Sequence, residues 1–257
     1  MRFKLTLAVL NDKKALLPLN YQYELSSWIY KVIDLGDAVF SEWLHSHGYT
    51  NKKKQFRLFT FSNLNVPQKE IIGDRLLFKT KTCDFILSTL PDETLQHFIC
   101  GLFRDRQLML GDRITQVRFQ VQNVEALPEI AFTESMKFRS VSPILVSNQI
   151  ADSRYAQYLR PDYEGYFSLM MNNCKKKHLA FYNEDIDIDF DRTEFKVLIT
   201  PKMKGISIKS HTEKESKLIG YNYTFSIKAP ARLIRTAYYT GFGEKNSQGF
   251  GCVEVGD

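Results

Sequence analysis

The sequence predicts an α+β protein built from two tandem ferredoxin-like (RRM-like) βαββαβ domains, covering residues 1–126 and 127–257. Three observations carry this expectation. The 257 residues allow two domains of about 125 residues each. Segments of period-two and period-3.6 hydrophobicity follow one another as strand, helix, strand, strand, helix, strand in the first half, and less cleanly again in the second. Leu127-Pro128-Glu129 interrupts the pattern between the copies. No sequence repeat relates the halves, so the duplication rests on element order alone.

The elements follow in order. Residues 2–9 alternate basic and apolar side chains and predict a strand. Over residues 22–46, Leu25, Trp28, Ile29, Val32 and Ile33 recur at helical spacing, and Asp34-Leu35-Gly36-Asp37 breaks the helix before a second piece ending near His45. Leu58–Ser62 and Leu76–Thr80 read as strands. Pro91-Asp92-Glu93 opens a helix that runs to about Arg104, since proline and acids suit a first turn. Residues 114–124 alternate as a strand. In the second half Arg139–Ser147 predicts a strand and residues 162–182 a helix. Phe195–Thr200, Gly205–Lys209 and Ile219–Lys228 predict three strands, Pro230–Tyr239 a helix, and Phe250–Val255 a closing strand.

Composition narrows the functional classes. Hydrophobic residues make up 44% and charged residues 25%, which suits a folded soluble chain and not a disordered one. No apolar run approaches the roughly 20 residues of a membrane span, and the N-terminus lacks a signal-peptide pattern. A cytoplasmic protein without membrane contact is expected. Cys83, Cys100, Cys174 and Cys252 are scattered without a CxxC pair, so they read as small buried thiols. The net charge is +6, yet residues 192–245 alone hold eleven Lys or Arg against four acids. Such a basic stretch, containing Lys202, Lys204, Lys209, Arg232, Arg235 and Lys245, is what a phosphate-backbone binder needs. A merely solvated basic face is the plainer reading. The 19 Phe and 13 Tyr add rings on which bases stack, although most belong in cores.

Four of the chain's 13 glycines fall in Gly241-Phe242-Gly243-Glu244-Lys245-Asn246-Ser247-Gln248-Gly249-Phe250-Gly251. The segment lacks the Gly-Lys-Ser/Thr of a Walker A loop. It follows a helix and precedes a strand, the reverse of a dinucleotide fingerprint. Glycine permits positive φ and close backbone approach, and Lys245, Asn246 and Ser247 supply donors.

This segment resembles the C-terminal glycine-rich loop of the CRISPR repeat-RNA processing endoribonucleases, the Cas-six family of the repeat-associated mysterious protein superfamily. The Met-Arg-Phe start, Leu19-Asn20-Tyr21-Gln22-Tyr23, Ile29-Tyr30, Leu44-His45 and Leu58–Ser62 are similar to that family's N-terminal stretch. The resemblance is firm at both ends and covers the middle by element order only.

What the resemblance implies is cleavage of repeat RNA by its own 2′-hydroxyl, with a 2′,3′-cyclic phosphate and a 5′-hydroxyl as products. That reaction needs a base for the 2′ proton, an acid for the leaving 5′ oxygen and cations for the phosphorane. Histidine, with an unperturbed pKa of about 6.5, suits either proton transfer. The family's histidine falls at His45, with His47 as competitor, and its helical tyrosine at Tyr30. Its lysine falls in Lys52-Lys53-Lys54, or is replaced by Arg57 beside the strand. The loop residues Gly241, Gly243, Lys245, Asn246, Ser247, Gly249 and Gly251, with the basic stretch, are the implied RNA contacts. The implied partner is single-stranded or hairpin CRISPR repeat RNA; other CRISPR effector-complex subunits and a homodimer are further partners it admits. No cofactor is expected.

Two readings compete. A non-catalytic homologue would hold repeat RNA without cutting it. A metal-dependent nuclease would use Asp185, Asp187, Asp189 and Asp191, whose alternation would place four carboxylates on one strand face. An exposed loop or edge strand is the plainer reading of that segment. His97, His178 and His211 have no acid or cysteine at ligand spacing and read as structural or surface residues.

Overall fold

The computed structural model describes residues 1–11, 14–52, 54–149, 156–208 and 215–256. The first half holds a five-stranded antiparallel sheet whose strands lie in the order Phe59–Phe61, Thr82–Thr89, Arg2–Val9, Gln116–Ala126 and Gln107–Gly111. Apart from the last, short edge strand, this places the second, third, first and fourth strands side by side. Three helices, α1 (Gln22–Gly36), α2 (Ala38–Ser46) and α3 (Asp92–Arg104), bury Leu25, Trp28, Ile29, Val32, Leu44, Phe98 and Leu102 against Leu5, Leu7, Phe85 and Phe119 of the sheet. The second half repeats the strand order with Glu194–Val197, Thr224–Lys228, Ser135–Ser140 and Val253–Val255, served by α4 (Tyr166–Tyr182) and α5 (Ala231–Thr240). Both halves are therefore ferredoxin-like. No described helix is long and apolar enough to cross a membrane.

Several sequence expectations are corrected. The third strand of the first sheet is Thr82–Thr89, which pairs on both sides, with Arg2–Val9 and with Phe59–Phe61. The apolar run predicted at 76–80 lies instead in Arg75–Phe78, the centre of a side sheet with Leu16–Pro18 and Lys69–Ile72. A short apolar run does not say which sheet it joins. The strand predicted at 139–147 ends at Ser140, where the regular ladder gives way and Val141 and Ser142 N–H both go to Cys252 O. The segment 219–228 is two strands: Ser216–Asn222 forms a hairpin with Lys202–Ile208, and Thr224–Lys228 enters the main sheet. Ile114 is exposed, in a turn held by the Asp112 carboxylate ahead of Gln116. The closing strand begins at Val253, and Phe250 is a buried loop residue. Cys100 is exposed, unlike the other three cysteines. Residues 185–191 form no strand; Phe190–Arg192 is a short 3₁₀ turn.

The halves meet through hydrogen bonds as well as rings. Ser88 Oγ donates to Tyr239 O at 3.0 Å and Thr60 Oγ1 to Phe250 O at 2.8 Å. The buried Arg2 guanidinium lies 4.1 Å over the Tyr238 ring. The Thr60 bond holds the glycine-rich loop against the edge strand Phe59–Phe61.

Candidate active site

A cleft of about 520 Å³ opens where α1, α2, the 54–59 segment, α4 and the glycine-rich loop converge. Helix α1 explains its first wall. Tyr23, Ser26, Ser27 and Tyr30 recur at i, i+3, i+4 and i+7 and line the cleft, while Leu25, Ile29 and Val32 on the other side are buried. Asp37 ends α1 and caps α2 by accepting from Phe40 N at 2.8 Å. The resulting elbow anchors α2 through Phe40 and Leu44 and leaves His45 exposed on the cleft.

The Tyr30 and His45 rings meet edge to face with centroids 5.7 Å apart, and Phe59 backs Tyr30 at 5.5 Å. Burial pushes the Tyr30 hydroxyl above its ordinary range, while hydrogen bonding to Ser247 and the Arg57 guanidinium pull it partly back. Tyr30 therefore stays protonated at neutral pH and can donate. The Arg57 guanidinium also donates to the His45 carbonyl, tying the histidine's backbone to the next element. Lys54 sits on the hairpin Tyr49–Asn51/Lys54–Phe56 and lines the cleft. That hairpin is pinned by Tyr49, whose ring meets Trp43 at 5.1 Å and Phe181 of α4 at 5.5 Å.

The opposite wall is backbone. The loop after α5 takes positive φ at its glycines, and Gly243 and Gly251 show why no other residue fits. A Cβ on Gly243 (φ +71) would lie 2.2 Å from Leu145 O, and one on Gly251 (φ +80) 2.0 Å from Phe242 O. Asn246, 8% exposed, closes the loop from inside by donating to Phe242 O at 3.1 Å and Phe250 O at 3.0 Å. Lys177 of α4 reaches the same loop from below. Its ammonium donates to Gly241 O at 2.7 Å, Gly243 O at 2.8 Å and Asn246 Oδ1 at 2.7 Å. Ser26 Oγ donates to Ser247 O at 2.6 Å and so seats the loop on α1.

The cleft is cationic. Lys54, Arg57, Lys177 and Lys245 line it against one acid, Glu244, whose carboxylate accepts from Ser147 Oγ at 3.0 Å. An anionic, hydrogen-bonding ligand suits such a lining.

The predicted residues are thus divided. Tyr30, His45, Lys54, Arg57, Gly243, Lys245, Asn246 and Ser247 meet in the cleft. His47 does not; it caps α2 with its ring 2.8 Å from Ser46 Oγ. Lys52 is exposed outside the lining. The basic stretch is spread over a hairpin, a strand, a helix and a loop. Lys202 and Lys204 lie on the 202–208 hairpin strand. Arg232 pairs with Glu184, and Arg235 donates to Tyr182 OH at 2.6 Å beside the end of α4. Lys53, Lys209 and His211 lie outside the described residues. His178 is buried against Thr236 Oγ1. His97 packs on Phe40 with Asp37 and Glu93 within 4 Å of its ring nitrogens, so, contrary to the sequence expectation, it has acid partners, Glu93 one helical turn before it. Among the described residues no three His, Cys, Asp or Glu are placed to hold a metal ion; Asp185 pairs with Lys175, and Asp189 with Arg192.

Lys177 was not singled out in the sequence. A signal existed: Tyr166, Met170, Cys174 and Lys177 recur at helical spacing, so the lysine falls on the buried stripe of α4.

Comparison with known proteins agrees with this architecture. Family models for CRISPR-associated protein Cas6, N-terminal, and CRISPR associated protein Cas6, C-terminal, match residues 16–125 and 125–255. The chain is similar to CRISPR-associated endoribonuclease Cas6 1 of Methanocaldococcus jannaschii, with 31% identity over 98% of this chain and 92% of that protein. CRISPR-associated endoribonuclease Cas6 of Pyrococcus furiosus is 27% identical over 99% and 90%. Among solved structures, one of a Cas6-related gene product from Pyrococcus furiosus superposes with a TM-score of 0.84 at 23% identity, over 100% of this chain and 98% of that one. A CRISPR associated protein Cas6 superposes with a TM-score of 0.76 at 29% identity, over 100% and 99%.

Proposed function

The chain belongs to the CRISPR-associated Cas6 family, and on that premise we propose that it binds CRISPR repeat RNA and cuts the precursor transcript by attack of the RNA's own 2′-hydroxyl, without a metal. The 2′ oxygen forms a bond to the neighbouring phosphorus as the bond from phosphorus to the 5′ oxygen breaks. A base takes the 2′ proton and an acid returns one to the 5′ oxygen, leaving a 2′,3′-cyclic phosphate and a 5′-hydroxyl. His45, open to the cleft, takes one of these proton transfers. Tyr30, kept protonated by burial, donates a hydrogen bond to the ribose or phosphate. Arg57 and Lys54 offset the charge that gathers on the phosphorane.

One observation supports this reading above the others: Tyr30, His45 and Arg57, from three separate segments, share one cationic cleft with the glycine-rich loop. The roles differ by site. Side chains of the first half act on the reacting atoms, and the loop's backbone grips the sugar-phosphate chain.

A repeat RNA carrying 2′-deoxy at the cleavage nucleotide tests the mechanism. Binding should persist and cutting should vanish, and the uncut substrate's natural counterpart should yield cyclic-phosphate ends in the presence of a chelator. Cutting of the deoxy substrate, or 3′-hydroxyl ends formed only with magnesium, would overturn it.

A further inference from the structure

Lys177 is 3% exposed, and each of its three N–H bonds goes to an acceptor of the glycine-rich loop. None is left over for a ligand. The hydrogen bonds then pass outward in sequence. Asn246 receives from Lys177 and donates to Phe242 O and Phe250 O, so one ammonium and one amide close both ends of the loop. The next residue, Ser247, is held by Ser26 through its carbonyl and lines the cleft together with Tyr30.

We propose that Lys177 is a positioning residue for RNA cleavage: its buried ammonium fixes the loop so that Ser247 meets Tyr30 and the loop's backbone faces the substrate. The proposal rests on the reading of Tyr30 and His45 as the reacting site. Charge is needed as well as length. A neutral amine has two N–H donors for three acceptors, and an orphaned buried carbonyl is costly. Burial lowers the Lys177 ammonium to about 8, against Cys174 on the same helix and Glu244 on the loop, the titratable groups that face it and pull upward. Deprotonation in mild alkali therefore leaves one of the three loop acceptors without a donor, a change the neighbouring loop amides should register.

Lys177→Met keeps the volume and removes the donors. Amide hydrogen exchange within residues 241–251 should quicken while the first sheet stays protected, and kcat should fall roughly a hundredfold as the site loses its alignment. Lys177→Ala lacks three carbons and the nitrogen, so n-propylammonium should restore cleavage and loop protection where 1-propanol does not. Wild-type protein decides the matter if neither variant folds. With ¹⁵N-labelled lysine, the Lys177 Nζ signal and the amides of Gly243 and Ser247 should titrate with one midpoint. A folded Lys177→Met enzyme with unchanged loop exchange, or loop amides that stay still while Lys177 titrates, would overturn the proposal. If the wild type does not cut RNA, the catalytic reading fails separately, and exchange and titration still decide what Lys177 holds.

Discussion

The two walls of the cleft are built on opposite plans. The first half brings side chains: Tyr30 and His45 stand on helices, Lys54 on a hairpin and Arg57 just after it, half-buried or exposed. The second half brings backbone, bent through positive φ and saturated from within by Lys177 and Asn246. The difference teaches where mutations act. On the first wall a side chain can be removed with the fold intact, so chemistry suffers alone. On the second, geometry is held by buried polar groups, so binding, chemistry and stability fall together.

The largest effect should come from the first wall. His45→Ala should slow cleavage by about 10²–10⁴-fold with RNA affinity nearly unchanged, measured by single-turnover kinetics and filter binding. His47→Ala, outside the cleft, should stay near wild type, and a large loss there would shift the active histidine by two positions. Gly243→Val should break the second wall, since valine at φ +71 also meets Leu145 O. Its strain should cost about 3 kcal/mol in a denaturant melt and lower affinity and cleavage together; a loss of cleavage alone would abolish the contrast between the walls. Tyr30→Phe removes one hydroxyl and should cut kcat about tenfold, the loss of one hydrogen bond to a charged group. Smallest of all, Lys204→Gln should weaken RNA binding modestly and reduce the slope of log affinity against log salt by about 1. An unchanged slope would place the hairpin off the RNA path.

Much of this was legible in residues. Trp28, Ile29, Val32 and Ile33 announce the buried face of α1, and the Asp37 break announces the elbow that presents His45. The glycine spacing 241, 243, 249, 251 announces a backbone that no β-carbon tolerates. Other features were hidden. Thr82–Thr89 opens on polar residues, whereas Leu76–Thr80 opens on an apolar run and reads as the stronger strand; only pairing partners decide which strand is central. Arg232 and Arg235 counted as part of one basic stretch, yet α5 turns them toward Glu184 and Tyr182.

The amino-acid order alone determined the helices and most strands, the repeated βαββαβ order and the loop's demand for glycine, because periodicity, capping and φ preferences are local. Only the tertiary structure decided that Tyr30 faces His45, that His47 faces away, and that a lysine from α4 lies beneath the loop. Those are relations between segments far apart in the chain. They follow from how the helices and the loop of each half pack on that half's own core, which no local preference encodes.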